Sequence, residues 1–405
     1  MRDVAIVGAG PAGAVLAARL ARAGLDVALI ERARSWRWRA GGVFASPAAM
    51  DALRRAGLDA ATLDRVARPI PAMRLETTRG AVVRLTYGAD EGGPPAVGFD
   101  RSALDPALVD LARAAGATIL AGVTVRDVQL GAAGGPSTLD LIGSEEAHLQ
   151  TRIVVGADGA SSLIARTAGV ARPVRLAPRV GLSHHVPDPR GDVPLEARMQ
   201  VLRDGYIGIA PVPGGRLNVG IVLGRSWLPA LGAHGAAAVA TRIVADLPAT
   251  DADRTDAPWR RGAPCDRVAG AAPLGVRVTR RAGPGWFLVG DAAGFLDPFT
   301  GEGIHRALVS AELASLAILA ALRARDGAGQ AARAYDRAMS RRFAAKDAVS
   351  WLVQAFLARP ILFEYAARRL ATRPGVRATM GLVMGDLVPA THGLHPRFLA
   401  ALLAP

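Results

Sequence analysis

The sequence predicts an α/β fold in which a sheet domain is inserted, followed by a helical C-terminal segment. Three observations predict it. Residues 1–30 read strand, glycine-rich turn, helix, strand; two further apolar strands, IVV at 153–155 and WFLV at 286–289, also run into turns that pair glycine with aspartate. Between them, residues 171 to about 275 lose the strand–helix rhythm and show sheet-like runs such as YIGIAPVPGG and RLNVGIVLG.

A chain of 405 residues is long for one compact core and suits two packed domains around a large ligand. The formal charge is +14, but 48 of the 49 basic residues are arginine and Lys346 is the sole lysine. The arginines are scattered, without the clustered basic and aromatic pattern of a nucleic-acid surface, so no nucleic-acid partner is expected. Attraction to anionic cofactors, or peripheral contact with an acidic lipid surface, fits the balance better. Cys265 is alone, so one chain builds no disulfide, Cys-x-x-Cys centre or thiolate zinc site. The pairs His184-His185 and His392-x-x-His395 lack clustered carboxylates and read as loop or surface histidines, so no metal is expected. The chain starts directly on a strand, and no apolar stretch of about 18 residues is free of charges or breakers, which predicts a cytoplasmic protein.

The elements follow in order. Val4 to Val7 is a strand, Gly8-Ala9-Gly10-Pro11-Ala12-Gly13 a turn, then a helix runs to about Ala23 and a strand from Asp26 to Ile30. This is G-x-G-x-x-G in a strand–turn–helix context. Gly8 and Gly10 let backbone approach a pyrophosphate, Gly13 lets helix pack on strand, and the helix N-terminus offers N–H groups and the positive end of its dipole. Glu31 follows 18 residues after Gly13, where a carboxylate accepts from ribose hydroxyls. Dinucleotide binding follows, with NAD and FAD both open at this point. Ser46-Pro47 reads as the cap and first turn of a helix ending near Leu58, and residues 73–87 as a hairpin. A helix follows Arg101, then a strand in GVTVRDV, a surface hairpin over 131–150, and a buried strand ending at Gly156-Ala157-Asp158-Gly159.

The third turn, GDAAGFLDPFTGEGI at 290–304, answers the NAD–FAD question. Three bare-backbone turns at the ends of parallel strands suit one long ligand lying across all of them, whereas NAD alone needs only the first. FAD is therefore the predicted cofactor. Asp291 is placed to accept from its ribityl chain. Gly301-Glu302-Gly303-Ile304 opens a helix whose N–H groups face the pyrimidine ring and favour negative charge there.

Taken together, GAGPAG with Glu31, GADG at 156–159 and GDAAGFLDPFTGEGI resemble the FAD-dependent superfamily of group A flavoprotein monooxygenases, geranylgeranyl reductases and flavin-dependent halogenases. The resemblance spans most of residues 1–320. It implies a fold like that of para-hydroxybenzoate hydroxylase, a Rossmann-type FAD-binding domain with an inserted β-sheet substrate domain, and NAD(P)H as reductant. It implies that Ala12 and Glu31 contact the AMP half, Arg101 the pyrophosphate or ribityl region, and Val125 the adenine through its backbone. Asp291, Gly303 and Ile304 would line the ribityl chain and ring, with Ala40, Gly41 and Val43 beside the ring. Arg101 reads alternatively as a helix-capping surface residue, and Asp158 as a turn carboxylate. Where the hydroxylase pattern places an arginine seven residues after that aspartate, this chain has Ala165, with Arg166 next to it.

The resulting division is an FAD-binding domain over 1–72, 96–170 and 276–345, a substrate domain over 73–95 and 171–275, and a helical segment over 346–405. Tyr206, Phe299 and His305 are candidates to line the substrate pocket, with core packing and helix-end roles as the plain alternatives for Tyr206 and His305. The stretch 351–370, interrupted by Pro360, reads as packing on the FAD domain, with a membrane contact or a pocket roof as the alternatives. No dedicated catalytic acid or base is identified. Halogenation fits poorly, because that class uses a pocket lysine and Lys346 lies in the tail. PFTGEGI resembles the reductases more than the hydroxylases, yet the reductase cysteine before the glycine pair is replaced by Ala40. The expectation is an FAD-dependent oxidoreductase acting on an apolar small molecule, with monooxygenation of an aromatic or polyketide-like substrate narrowly ahead of prenyl double-bond reduction.

Overall fold

The computed structural model describes residues 1–404 except 37, 39, 40, 88–91, 175–178, 189–194, 248–262, 273 and 324–327. The first domain is built on a parallel sheet. Strands β1 (Arg2–Val7) and β2 (Val27–Glu31) are joined by helix α1 (Pro11–Arg22). Val4, Ala5, Ile6, Ala28, Leu29 and Ile30 are almost wholly buried, as expected of strands covered on both faces. Helix α2 spans Ala48–Ala56, and the predicted hairpin is β3 (Ala72–Glu76) with β4 (Val82–Thr86), paired antiparallel. Helix α3 (Arg101–Ala114) leads to β5 (Thr118–Ala121), a strand not foreseen in the sequence, which pairs parallel with β2.

Next come β6 (Thr124–Gln129), β7 (Ser137–Ile142) and β8 (His148–Gly156). The surface hairpin and the buried strand expected in this region share one strand, because β8 starts antiparallel to β7 and continues parallel to β1. The substrate sheet adds β9 (Val180–Pro187), β10 (Ala197–Leu202), β11 (Gly205–Val212), β12 (Arg216–Leu223), helix α4 (Leu228–Ala245) and β13 (Ala269–Ala271). Its strand order is β13-β9-β12-β11-β10-β3-β4. The chain returns to the first sheet with β14 (Trp286–Leu288), which lies parallel to β8, giving the run β14-β8-β1-β2-β5.

Helix α5 (Gly303–Arg323) packs in the core of the first domain against α1. It and residues 225–245 are long and apolar enough to cross a membrane, but α5 is mostly buried inside the protein. Helix α6 (Ala328–Leu357) runs straight through the boundary drawn at 345/346, so the helical segment starts within a helix anchored on the first domain. Pro360 opens α7 (Pro360–Thr372), followed by α8 (Pro374–Met384) and α9 (Pro396–Leu403). Contrary to the expectation for 351–370, α7 packs on β4 of the substrate sheet, with Ala367 against Ala81 and Val83. The ring of Phe363 stands edge-on to Phe299, 6.5 Å away.

Candidate functional site

Because β14, β8 and β1 are neighbours, the turns that follow them lie side by side. Gly8 takes a left-handed φ of 103°, and a Cβ there would stand 2.4 Å from the Ala157 carbonyl oxygen, so the first and second turns are pressed together. A Cβ on Gly290 would lie 3.0 Å from that of Ala12, which brings in the third. Gly13 packs against the Gly8 carbonyl, where a Cβ would be only 2.0 Å away. Gly10, the residue capping α1, differs: no side chain caps the helix, and a Cβ built on it meets nothing within 4 Å. The positive end of α1 thus opens on free space, as an anionic pyrophosphate requires.

Glu31 is buried at the end of β2. Its Oε2 accepts from the Ala9 N–H at 3.1 Å and its Oε1 from the Ala33 N–H at 2.9 Å. These two bonds fix the carboxylate at the strand end, where the sequence motif expects it. The backbone N–H of Val123 donates to the Glu31 carbonyl, which sets Val125, half-buried on β6, close to the same edge. Asp158 serves its turn through Oδ2, which accepts from the Leu163 N–H at 2.7 Å, as in the plain reading. Its Oδ1 is buried without a hydrogen-bond partner, and burial raises the pKa of the carboxyl. Ala165 is sealed in the core, and Arg166 points away to the Ser161 carbonyl.

The end expected to hold the flavin gathers around Asp291. Burial raises its pKa, opposed by the charges of Arg101 and Arg306. Arg101 grips Asp105 with two bonds of 2.8 and 2.9 Å and donates to the Gly42 carbonyl at 2.9 Å. Burial acts against its charge, but Asp105 outweighs it and lifts the guanidinium pKa. Arg101 is therefore more than a surface cap: it ties α3 to the loop carrying Gly41 and Val43. A Cβ on Gly42 would lie 3.8 Å from Ile304, and one on Gly301, which has φ 67°, would strike the Phe44 ring at 2.5 Å. The 41–44 loop and the 301–304 turn are thus in contact. Nothing stands within 4 Å of a Cβ on Gly303, where α5 begins. Ala40 lies outside the described residues. Open helix ends at Gly10 and Gly303, with a carboxylate between two guanidinium charges, fit FAD.

The sheet domain faces this end with a hollow. Cross-strand register places Ser183 opposite Gly220, Gly220 opposite Gly208, and Gly208 opposite Met199. The flanking rows on the same face are Gly181, Val222, Tyr206 and Val201 on one side and His185, Asn218 and Ala210 on the other. A Cβ on Gly220 would meet only the Asn218 Oδ1 and the Gly208 carbonyl oxygen, both at 3.8 Å and both from this sheet. Gly220 leaves bare backbone as a floor, and beside Gly208 the Met199 thioether lies 3.7–3.8 Å from where a Cβ would stand. On the opposite face Leu182, Ile207, Val219 and Ile221 pack with Val239, Ala240 and Ile243 of α4.

Tyr206 donates from its hydroxyl to Asp297 Oδ1 at 2.6 Å, and its ring meets Phe299 edge-on at 5.0 Å. Asp297 also accepts from the Phe299 N–H and, at 2.8 Å, from Arg179. Burial and the adjacent Asp297 raise the phenol pKa well above its usual value. Tyr206 and Phe299 therefore tie the third turn to the sheet. His305 does not join them: it is buried, with Nδ1 3.0 Å from Asp386 Oδ2, and belongs to the helical segment's contact with α5.

That contact contains residues sequence reasoning missed. Lys346 is almost fully buried, 2.8 Å from Asp386 Oδ1 and 4.0 Å from Glu302 Oε2, and it donates to the Val383 carbonyl at 2.7 Å. Ser46, expected as a helix cap, instead donates to Asp386 Oδ2 at 2.8 Å; Pro47 occupies the cap position, without a capping side chain. Burial raises the Glu302 pKa, against the pull of Lys346 and Arg306. The sequence signal was the lone lysine among 49 basic residues. Among the described residues no group of three or more His, Cys, Asp or Glu side chains could hold a metal ion.

An FAD binding domain family matches residues 1–190. Menaquinone reductase of Mycolicibacterium smegmatis is 30% identical over 325 residues, covering 77% of this chain and 75% of its own. Digeranylgeranylglycerophospholipid reductase 2 of Methanopyrus kandleri is 29% identical over 320 residues, covering 77% and 75%. Among solved structures, the flavin-dependent halogenase CmlS superposes with a TM-score of 0.74 at 26% identity, over 85% of this chain and 62% of the halogenase. A geranylgeranyl bacteriochlorophyll reductase-like protein from Thermoplasma acidophilum reaches 0.76 at 22% identity, over 100% and 96%, a likeness of fold. With the three turns assembled as FAD requires and reductases related over three-quarters of its length, the chain belongs to the superfamily of FAD-dependent oxidoreductases that includes the geranylgeranyl reductases.

Proposed function

We propose that the enzyme reduces carbon–carbon double bonds in an isoprenoid chain of an apolar substrate, with NAD(P)H as the source of electrons. The observation that carries this reading is the glycine-floored hollow, flanked by Met199, Val222 and Phe299 and lying beside the flavin turn. Bare backbone lets a thin, flat, unsaturated segment lie close to the sheet, and the apolar flanks keep water out. The relatives' names support it, since menaquinone and digeranylgeranylglycerophospholipid share an isoprenoid chain. Bound FAD would supply the hydride. The chain's own residues hold and aim: the α1 end at Gly10 for the pyrophosphate, Glu31 for the ribose, Asp291 for the ribityl chain, and the α5 end at Gly303 and Ile304 for the pyrimidine edge.

A second reading is hydroxylation of an aromatic or polyketide-like molecule, which the sequence placed narrowly first. One observation favours it. Alkene reduction needs a proton as well as a hydride, and the phenol of Tyr206 is committed to Asp297 with its acidity suppressed. The relatives' names reverse that order here. Turnover with NAD(P)H under labelled dioxygen, with products read by mass spectrometry, tests the choice. Two hydrogens gained per double bond are expected; one labelled oxygen atom gained with the double bonds intact would establish the second reading.

A further inference from the structure

The row bordering the hollow opposite Tyr206 is polar. His185 Nδ1 lies 2.6 Å from Asp266 Oδ2, and the His185 backbone N–H donates to Asp266 Oδ1 at 2.9 Å, so one carboxylate fixes both ring and backbone. Burial lowers the imidazole pKa and outweighs the pull of Asp266, so the ring is neutral. With Nδ1–H donated to the carboxylate, Nε2 is left as an acceptor. It is fully buried and has no hydrogen-bond partner. Trp38 lies against the ring, centroids 4.2 Å apart, and donates to the Ser183 carbonyl at 3.3 Å. Beside His185 on the same face, Asn218 uses its Nδ2 on Ser183 Oγ and the His184 carbonyl, leaving Oδ1 directed to the floor at Gly220. Two acceptors at this end of the sheet face, His185 Nε2 closed over beside the Trp38 ring and Asn218 Oδ1, thus have their own donors already engaged. An unpaired buried acceptor is costly, and pairing it is a source of specificity.

We propose that His185, positioned by Asp266 and flanked by Asn218, recognises a hydroxyl group carried by the apolar substrate: a phenol, quinol or alcohol. A quinone carbonyl or an ether has no proton to give it. The inference rests on the hollow being the substrate site, and not on whether the reaction there is reduction or hydroxylation.

The test uses the oxidised, FAD-loaded enzyme without reductant, and a farnesylated phenol with its O-methyl ether as probes. Affinity is read from the perturbation of flavin absorbance and of tryptophan fluorescence. The wild type should bind the phenol about ten- to a hundredfold more tightly than the ether, as expected for one buried acceptor gaining its donor. His185→Phe should weaken phenol binding to the level of the ether and leave the ether unchanged, while His185→Gln, which keeps an acceptor, should retain part of the preference. Equal wild-type affinity for the two probes overturns the hydroxyl site and leaves the hollow as substrate site standing. A preference that survives in His185→Phe likewise overturns it. Failure of both probes to bind overturns the hollow itself along with the hydroxyl site, and the wild-type comparison needs no variant to fold.

Discussion

Replacing Lys346 by methionine keeps most of the side chain's volume and removes its charge. Lys346 is 3% exposed and Asp386, its partner at 2.8 Å, 7%, so the change leaves Asp386 buried beside His305, Ser46 and the like charge of Glu302, which loses the same cation. Breaking a buried pair in this way costs about 3–5 kcal/mol, whereas exposed pairs contribute ~0–1 kcal/mol. In the wild type, burial works to raise the Asp386 pKa, but His305 and Lys346 overcome it and hold the carboxyl well below its ordinary value. A depressed folded pKa gives stability that is present above the unfolded pKa and lost as pH falls through the folded one. The wild type should therefore keep this contribution at neutral pH and lose it progressively from about pH 4, the unfolded carboxyl range, down to the depressed folded pKa. Lys346→Met should lack much of it throughout. Urea unfolding of the FAD-loaded protein at neutral pH measures the loss, and the double variant Lys346→Met/Asp386→Asn should recover a large part by removing the stranded charge. A loss under about 1 kcal/mol, or a double variant as unstable as the sum of the single ones, would refute the reasoning.

Three further outcomes are expected. Asp291→Ala should weaken FAD binding about ten- to a hundredfold, from roughly 1–3 kcal/mol of unpaired ribityl hydroxyls, measured by equilibrium titration of the apoprotein. Gly10→Val should abolish FAD uptake while the apoprotein stays folded, because a side chain there enters only open space; Gly13→Val should unfold it, because a Cβ there meets the Gly8 carbonyl oxygen at 2.0 Å. Tyr206→Phe should cost about 1.5–3 kcal/mol of stability through the bond lost to Asp297, read by denaturant unfolding, and unchanged stability would free Tyr206 from its tethering role.

The parts of the fold that were legible in the sequence are those whose chemistry is local. Each cofactor turn sets glycines, and the second and third an aspartate as well, within a few residues of an apolar strand, so Gly8 to Gly13, Asp158 and Asp291 announce themselves. Features assembled from distant segments do not. The floor of the hollow needs Gly208 and Gly220 brought opposite each other by strand register, and Lys346 meets Asp386 and Glu302 only after α6 folds back on the flavin turn. β8 was divided between a hairpin and a buried strand because its two ends have different partners, and its solvent-facing start alternates where its end is continuously apolar. β5 escaped notice because Thr118 to Ala121 is short, lies at the edge of the sheet and is only partly buried.

The most direct measurement of the central claim is a single turnover without oxygen. FAD-loaded enzyme is reduced to completion with dithionite, freed of excess reductant, and mixed anaerobically with a geranylgeranyl-bearing lipid while the absorbance of oxidised flavin is followed. The account predicts that the yellow colour returns in the absence of oxygen, with one double bond saturated per flavin reoxidised. Flavin that stays reduced until oxygen is admitted, with the lipid unchanged, would contradict it.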